Sequence, residues 1–311
     1  MLLNILFIVV GIALVLWGAD RLTDGAVAVA EKMKMPQIVI GLTIVAMGTS
    51  MPEFCVSFIS ALKGTSDLAV GNIVGSNIFN ALLIVGVSAL VAPMTIMETT
   101  VRKDIPFALV ASAMLLMMGL DGDISRIDAG ILFAMFLIFM YMTLKGAKKQ
   151  GADAEAADEA EEKKPMATWL SVVWILVGLL CLIGGSNLFV EGATAVATSL
   201  GVSEAVIGLT IVAGGTSLPE LATSVVSARK GNSGIAIGNA LGSNVFNILA
   251  ILGITGVITP MTLNGITVTD LSMLVISIML VWLFSFTKYK IERWEGAVLT
   301  AVFVGYIYSL L

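Results

Sequence analysis

VIGLTIVAMGTSMPEF at residues 39–54 returns as VIGLTIVAGGTSLPEL at 206–221, identical at 13 of 16 positions with an offset of 167. The same offset carries GNIVGSNIFN (71–80) onto GNALGSNVFN (238–247), identical at 7 of 10. Gly18 maps on Gly185, Gly25 on Gly192, Pro93 on Pro260, Arg126 on Arg293 and Tyr141 on Tyr308. The chain is therefore two copies of one unit. What each copy contains decides the fold.

The surroundings of the repeats are apolar. Of 311 residues 58% are hydrophobic and 13% charged, with a mean hydropathy of +1.01. A soluble protein carries about 25% charged residues, so this composition belongs to a membrane. A helix needs about 20 apolar residues to cross the hydrocarbon core. Ten stretches qualify, near 2–19, 37–62, 68–93, 104–119, 127–144, 168–190, 203–228, 234–259, 270–287 and 294–310. The first lacks the basic start and small-residue cleavage site of a signal peptide and is read as a retained helix.

Five spans fall in each copy, and an odd number turns the second copy upside down in the bilayer. The expected fold is all-α and integral to the membrane, with ten transmembrane helices as two inverted five-helix repeats. The expected organisation is a first repeat at 1–144, a linker at 145–167 and a second repeat at 168–311.

Charge fixes the expected orientation. In this ten-span reading the 17 Lys and Arg divide 15 to 2, and only Lys63 and Arg126 lie on the poorer side. The positive-inside rule places the richer side in the cytoplasm and both termini outside. The linker, KGAKKQGADAEAADEAEEKKP, is then cytoplasmic and has the composition of a partly disordered segment. Its carboxylates at Asp153, Glu155, Asp158, Glu159, Glu161 and Glu162 lack fixed ligand spacing and a turn glycine, and read as a solvated face rather than a calcium site.

Several chemistries are excluded. With no histidine, imidazole-dependent catalysis and haem or H-E-x-x-H zinc ligation are out of reach. Cys55 and Cys181 sit in apolar runs, so no disulfide framework is indicated. Nothing suggests an enzyme or a bound cofactor.

Polar residues inside the spans carry the function. A charge at mid-bilayer costs about 2.5–3.5 kcal/mol on insertion scales, and Glu53 and Glu220 incur it at equivalent positions. Either could serve as interhelical glue through a protonated carboxyl. Pro52 and Pro219 precede them, and proline deprives the carbonyl four residues back, at Gly48 and Gly215, of its partner. A simple kink would follow from that alone. The hydroxyls of Thr49, Ser50, Thr216 and Ser217 beside the breaks point further, to an oxygen-rich cation site. Asn72, Ser76 and Asn80 recur every fourth residue on span three, as Asn239, Ser243 and Asn247 do on span eight. Gly71 with Gly75, and Gly238 with Gly242, are expected to let backbones approach closely.

Such oxygens suit Ca²⁺, which takes six to eight of them, and no soft ligand favours zinc or copper. Two glutamates balance one Ca²⁺ or two Na⁺, and competition between those loads is the basis of exchange.

These motifs resemble those of the cation/calcium antiporter superfamily, specifically its prokaryotic sodium/calcium exchangers, over nearly the whole chain. The hallmark G-T-S-x-P-E and G-N-x-x-G-S-N-x-x-N occur as GTSMPE (48–53) with GNIVGSNIFN, and as GTSLPE (215–220) with GNALGSNVFN. The resemblance implies Glu53 and Glu220 as principal ligands, aided by Thr49, Ser50, Thr216 and Ser217. It adds Ser76, Asn80, Ser243 and Asn247 as sodium ligands, and the carbonyls of Ala46 and Ala213. Spans one and six are implied to slide across a rigid core. Potassium-dependent relatives carry Asp where this chain has Asn247, which argues against potassium co-transport. The partners implied are Na⁺, Ca²⁺ and the lipid bilayer of a cell membrane.

Two other transport modes fit the sequence. In a Ca²⁺/H⁺ antiporter the same carboxylates would carry protons; that branch lacks G-T-S before its P-E in both halves. A passive cation channel could also be built from inverted repeats.

Overall fold

The computed structural model describes residues 1–155, 166–201 and 213–310. Helix α1 runs Leu2–Lys32. Helix α2 has two parts, Gln37–Thr49 and Met51–Leu62, bent by 49°. Then come α3 (Ser66–Val91), α4 (Thr100–Asp121) and α5 (Arg126–Glu155). The second half supplies α6 (Thr168–Ser199), α7 (Ala213–Thr216 and Leu218–Arg229), α8 (Ser233–Ile258), α9 (Val268–Ser285) and α10 (Arg293–Leu310). Among the described residues seven helices cross a membrane by length and composition, and the bent α2 makes eight. With α7 and α10 the count reaches ten, five in each half.

Two short sheets test the inversion. Strand β1 (Met94–Thr95), after α3, pairs antiparallel with β4 (Lys290–Ile291), after α9. Strand β2 (Asp123–Ile124), after α4, pairs with β3 (Met261–Thr262), after α8. An offset of 167 carries β1 onto β3 and β2 onto β4, so the two-fold exchanges the sheets. That holds only if every helix between them crosses. Gln37 donating to Asn232 at 3.2 Å, and the Gly265 N–H donating to Asp67 at 2.8 Å, join further loops that the ten-span reading puts on one side.

Of the helices long enough to span on their own, α3 and α8 are the most enclosed, and α1, α5 and α6 the least. Apolar side chains of α3, α4, α8 and α9 form one continuous core, with Ile73, Ile78, Leu82, Leu249, Leu271 and Leu274 sealed from any probe of the surface. The polar stripes of 71–80 and 238–247 therefore stand on the most enclosed helices. Helices α1 and α6 meet along a glycine seam. A Cβ at Gly11 would lie 2.7 Å from the Gly185 carbonyl, at Gly18 2.8 Å from that of Gly178, and at Gly25 2.7 Å from that of Ser171. The spacing of seven on both helices keeps one stripe in contact along two antiparallel helices.

Several expectations need correction. α1 and α6 are far longer than the 2–19 and 168–190 read from hydropathy, at 31 and 32 residues. Arg21 and Lys32, expected in a loop, lie within α1. At 1.5 Å per residue α1 reaches roughly 46 Å, beyond the hydrocarbon core. Its charged turn stays helical because its ions find partners: Arg21 pairs with Asp20 and Asp24, and Lys230 with both acids. α5 continues to Glu155, into the stretch read as linker; residues 156–165, with Asp158, Glu159, Glu161 and Glu162, lie outside the described residues. So does 202–212, the first part of span seven.

The glycine ridges are unequal. Gly238 and Gly242 receive α2 closely, since a Cβ would meet Ile38 O and Leu42 Cα at 2.7 Å. In the first copy a Cβ at Gly71 would meet only Ile266, at 3.2 Å, and among the described residues nothing lies within 4 Å of one at Gly75. The element equivalent to the first part of α2 is the undescribed 202–212.

Gly18→Val is expected to overpack the α1–α6 seam and destabilise the protein by about 1–3 kcal/mol. Gly184→Val, on the open face of α6, is the control. Melting in detergent followed by circular dichroism or scattering checks the difference; equal shifts would dismiss the seam.

Candidate cation site

The site begins with two broken helices. Pro52 and Pro219 each occupy the first turn of a new helix, where a missing N–H does no harm. The residue before each new helix leaves helical geometry, Ser50 at φ −83°, ψ 10° and Ser217 at φ −89°, ψ 7°. Glu53 and Glu220 fall in the first turn of the new segments. A helix start carries about half a positive charge, which steadies a buried carboxylate. The ends of the preceding segments turn carbonyls toward the same region, which suits a cation.

Each carboxylate is held by the opposite half. Ser50 donates to Glu220 Oε1 at 2.9 Å, and Ser217 donates to Glu53 Oε1 at 3.0 Å. Thr49, next to Ser50, donates instead to Asn239 Oδ1 at 3.0 Å. Ser217 also bonds Ser76 at 3.1 Å, which joins α7 to α3. Both glutamates have zero exposure. Thr49, Ser50, Ser76, Asn80, Ser217, Ser243 and Asn247 are buried too, and Thr216 is half-buried. The Ala46 carbonyl accepts the Ser50 N–H at 3.0 Å and Thr49 Oγ1 at 3.4 Å. Ala213 opens the short helical turn Ala213–Thr216, at the position equivalent to Ala46.

What is left over matters most. Glu53 Oε2, Glu220 Oε2, Asn80 Oδ1, Asn247 Oδ1 and Ser243 Oγ are buried oxygens without a hydrogen-bond partner among the described residues. A buried acceptor left unpaired costs about 1–3 kcal/mol, more when charged. Five such oxygens, all among the residues expected to bind cations, are a set that a hard cation would satisfy. Among the described residues no group of three His, Cys, Asp or Glu converges, so the charge comes from two glutamates and the remaining oxygens are neutral.

The sequence reading named Asn72 and Asn239 but not the role the structure gives them, and it passed over a second layer altogether. Asn72 donates to the Glu53 carbonyl at 3.2 Å and to Ser57 at 2.9 Å; Asn239 donates to the Glu220 carbonyl at 3.1 Å and to Ser224 at 3.0 Å. Asn239 Oδ1 also accepts from Thr49 at 3.0 Å. These amides brace the turns that carry the glutamates. At the centre, Asn77 accepts from Asn244 through its carbonyl at 3.2 Å and from Asn247 through Oδ1 at 3.1 Å, tying α3 to α8. The signal for Ser57/Ser224 and Asn77/Asn244 was present, since each pair recurs at 167. Reading the motif every fourth residue passed over them. Unannounced by sequence are π-helical turns at Gly41–Val45, Phe79–Ile84 and Phe246–Ile251, the last two carrying Asn80 and Asn247. π-turns are frequent at functional sites. Cys55, two residues beyond Glu53, is exposed.

Ten helices in inverted halves, with two buried carboxylates shared across the repeat, define a secondary transporter of cations. The sequence profile of the sodium/calcium exchanger protein family matches residues 3–145 and 170–311. The chain belongs to that family, which is one of transporters rather than enzymes. It is 36% identical to the inner membrane protein YrbG of Escherichia coli, over 100% of this chain and 97% of that one. It is 29% identical to the sodium/calcium exchanger MaX1 of Methanosarcina acetivorans, over 99% and 98%. A solved structure of the sodium-calcium exchanger NCX_Mj, soaked with Na⁺ and Sr²⁺, superposes with a TM-score of 0.87 at 31% identity, over 100% of this chain and 99% of that one.

Asn239→Ala is expected to destabilise more than Asn72→Ala, because Asn239 is fully buried and engages three partners where Asn72 is half-buried and engages two. The expected difference is about 1 kcal/mol, one hydrogen bond's worth. Melting of both variants in detergent measures it, and a larger loss in Asn72→Ala would refute the bracing role.

Proposed function

We propose that this protein is a Na⁺/Ca²⁺ antiporter working by alternating access, with both cations bound at mid-membrane by Glu53 and Glu220. The observation that carries the reading is the reciprocal grip of each half's serine on the other half's glutamate, beside five unpartnered buried oxygens. Ca²⁺ would be neutralised by the two carboxylates and fill its shell from Thr49, Ser50, Thr216 and Ser217 and the carbonyls of Ala46 and Ala213. Na⁺, carrying half the charge, is served by the more neutral positions at Ser76, Asn80, Ser243 and Asn247. Since both loads need the same two carboxylates, Na⁺ entering from one side displaces Ca²⁺, which is what couples the flows.

The named relatives MaX1 and NCX_Mj support sodium and calcium as the pair. For placement we propose a cell membrane with both termini outside and 145–167 in the cytoplasm, joining functional halves at 1–144 and 168–311. The fifteen-to-two division of basic residues supports that orientation.

The deciding experiment is uptake of labelled Ca²⁺ into proteoliposomes loaded with Na⁺ and diluted into Na⁺-free buffer. Uptake against the Ca²⁺ gradient is expected, falling to the protein-free level in Glu53→Gln and in Glu220→Gln. Uptake driven by a pH gradient without Na⁺ would replace this reading with Ca²⁺/H⁺ exchange, and downhill flux alone would mean a channel. Asn247→Asp brings a third carboxylate to the cluster and is expected to change the competition between Na⁺ and Ca²⁺ while the protein still inserts. An unchanged competition curve in that variant would put Asn247 outside the site.

A further inference from the structure

The two-fold that relates the glutamates also relates charged residues well away from them, and there the halves are in different states. Lys230, just past α7, bridges α1 through Asp24 at 2.7 Å and Asp20 at 2.5 Å, and donates to the Asp20 carbonyl at 3.2 Å. Nearby, Thr23 and Ser227 share a hydrogen bond of 2.9 Å. These contacts clamp α1 to α7 on the side that carries the basic excess, where Gly238 and Gly242 of α8 are also packed tight against α2.

The offset of 167 sends Asp24 to Glu191 and Lys230 to Lys63, preserving the sign of both charges. Glu191 lies on α6 and Lys63 directly after α2, at the opposite membrane face. Both are exposed, and among the described residues they make no ion pair. On the helices beside them, Asn72 and Gly75 retain exposure where Asn239 and Gly242 are buried. An inverted repeat reverses its access by exchanging the conformations of its halves, so a contact made by one half must be made by the other in the reversed state.

We propose that Asp24–Lys230 and Glu191–Lys63 are alternately formed latches, the first holding the cytoplasmic side shut and the second closing the outer side when access reverses. The proposal rests on the alternating-access reading above but not on which ions are carried. The two latches are of unequal strength. Asp20, the second acid under Lys230, maps on Asn187, so the outer latch has one carboxylate where the inner has two. The inner closure is accordingly the favoured resting state, and it is the one seen here.

The test places cysteine pairs in the full chain with Cys55 and Cys181 replaced by Ala, one protein carrying Asp24→Cys with Lys230→Cys, the other Lys63→Cys with Glu191→Cys. Each is treated with a short bifunctional thiol reagent in membranes, with and without Na⁺ or Ca²⁺. Both pairs are expected to cross-link, and conditions that raise one yield should lower the other. A second variant, Asn187→Asp, is read in an otherwise cysteine-free chain carrying Gly75→Cys as its single thiol, at an exposed position where a side chain meets nothing among the described residues, by labelling rate from either side. There Asn187→Asp should lower outside labelling about three- to fivefold, the size of effect one half-exposed ion pair produces. If the inner pair cross-links and the outer pair never does under any ion condition, the outer latch is wrong. If Asn187→Asp leaves labelling unchanged, the claim that unequal charge sets the resting state is wrong. Loss of exchange in the unmodified protein would strike the transport reading instead, and cross-linking would still report the latches.

Discussion

Two serine hydroxyls hold this protein's centre together, Ser50 on Glu220 and Ser217 on Glu53. Each is fully buried, and each crosses from one half of the chain to the other. A carboxylate in the bilayer has no water to turn to, so its position is dictated by whichever donors the fold supplies. Here, among the described residues, the hydroxyl on each carboxylate comes from the opposite repeat, so neither half positions its own glutamate alone. The broken helices, the amide braces and the packing of α3 on α8 all serve to bring those two pairs to the same depth.

The proline breaks give the arrangement its economy. Ending one helix and beginning another at Ser50 and Ser217 frees carbonyls and amides that a straight helix would consume internally. Asn72 and Asn239 then fix the new first turn by capturing the backbone carbonyl of each glutamate. One partner oxygen of each carboxylate is bound and the other is left free. A site with every oxygen satisfied internally would bind nothing, and one with none satisfied would not hold its shape.

Much of this was legible because the chain states it twice. The glutamates, the hydroxyls beside them and the fourth-residue polar stripes follow from an exact offset, and in the structure Ser50, Ser217 and Ser76 join the two glutamates in one buried network. The lengths of α1 and α6 were not legible: hydropathy stops at Asp20 and Arg21, where α1 continues with its charges paired, and near Glu191, where α6 continues with that carboxylate exposed. The π-turns had no warning either, since widening one turn leaves no mark in composition. Asn77 and Asn244 were missed for a different reason: a helical period of four was imposed on a motif whose central asparagines bond across the axis rather than along it.

Repetition also explains why small differences between the halves carry so much weight. Were the halves identical, the two access states would have equal energy and the protein would favour neither. Their populations are therefore set by the positions where the copies differ. Near the membrane faces these include Asp20 against Asn187, Arg21 against Leu188 and Thr23 against Val190. All three place the more polar or charged residue in the first copy, where Arg21 also lies 5.2 Å from the ring of Trp174 on α6. A ligand shifts such an equilibrium only by its difference in affinity for the two states, so a near-symmetric central site leaves the bias to the periphery. In the transport cycle proposed above, the residues that would choose the ion and those that would choose the side are thus physically separate, and a substitution in one set would alter its property without passing through the other.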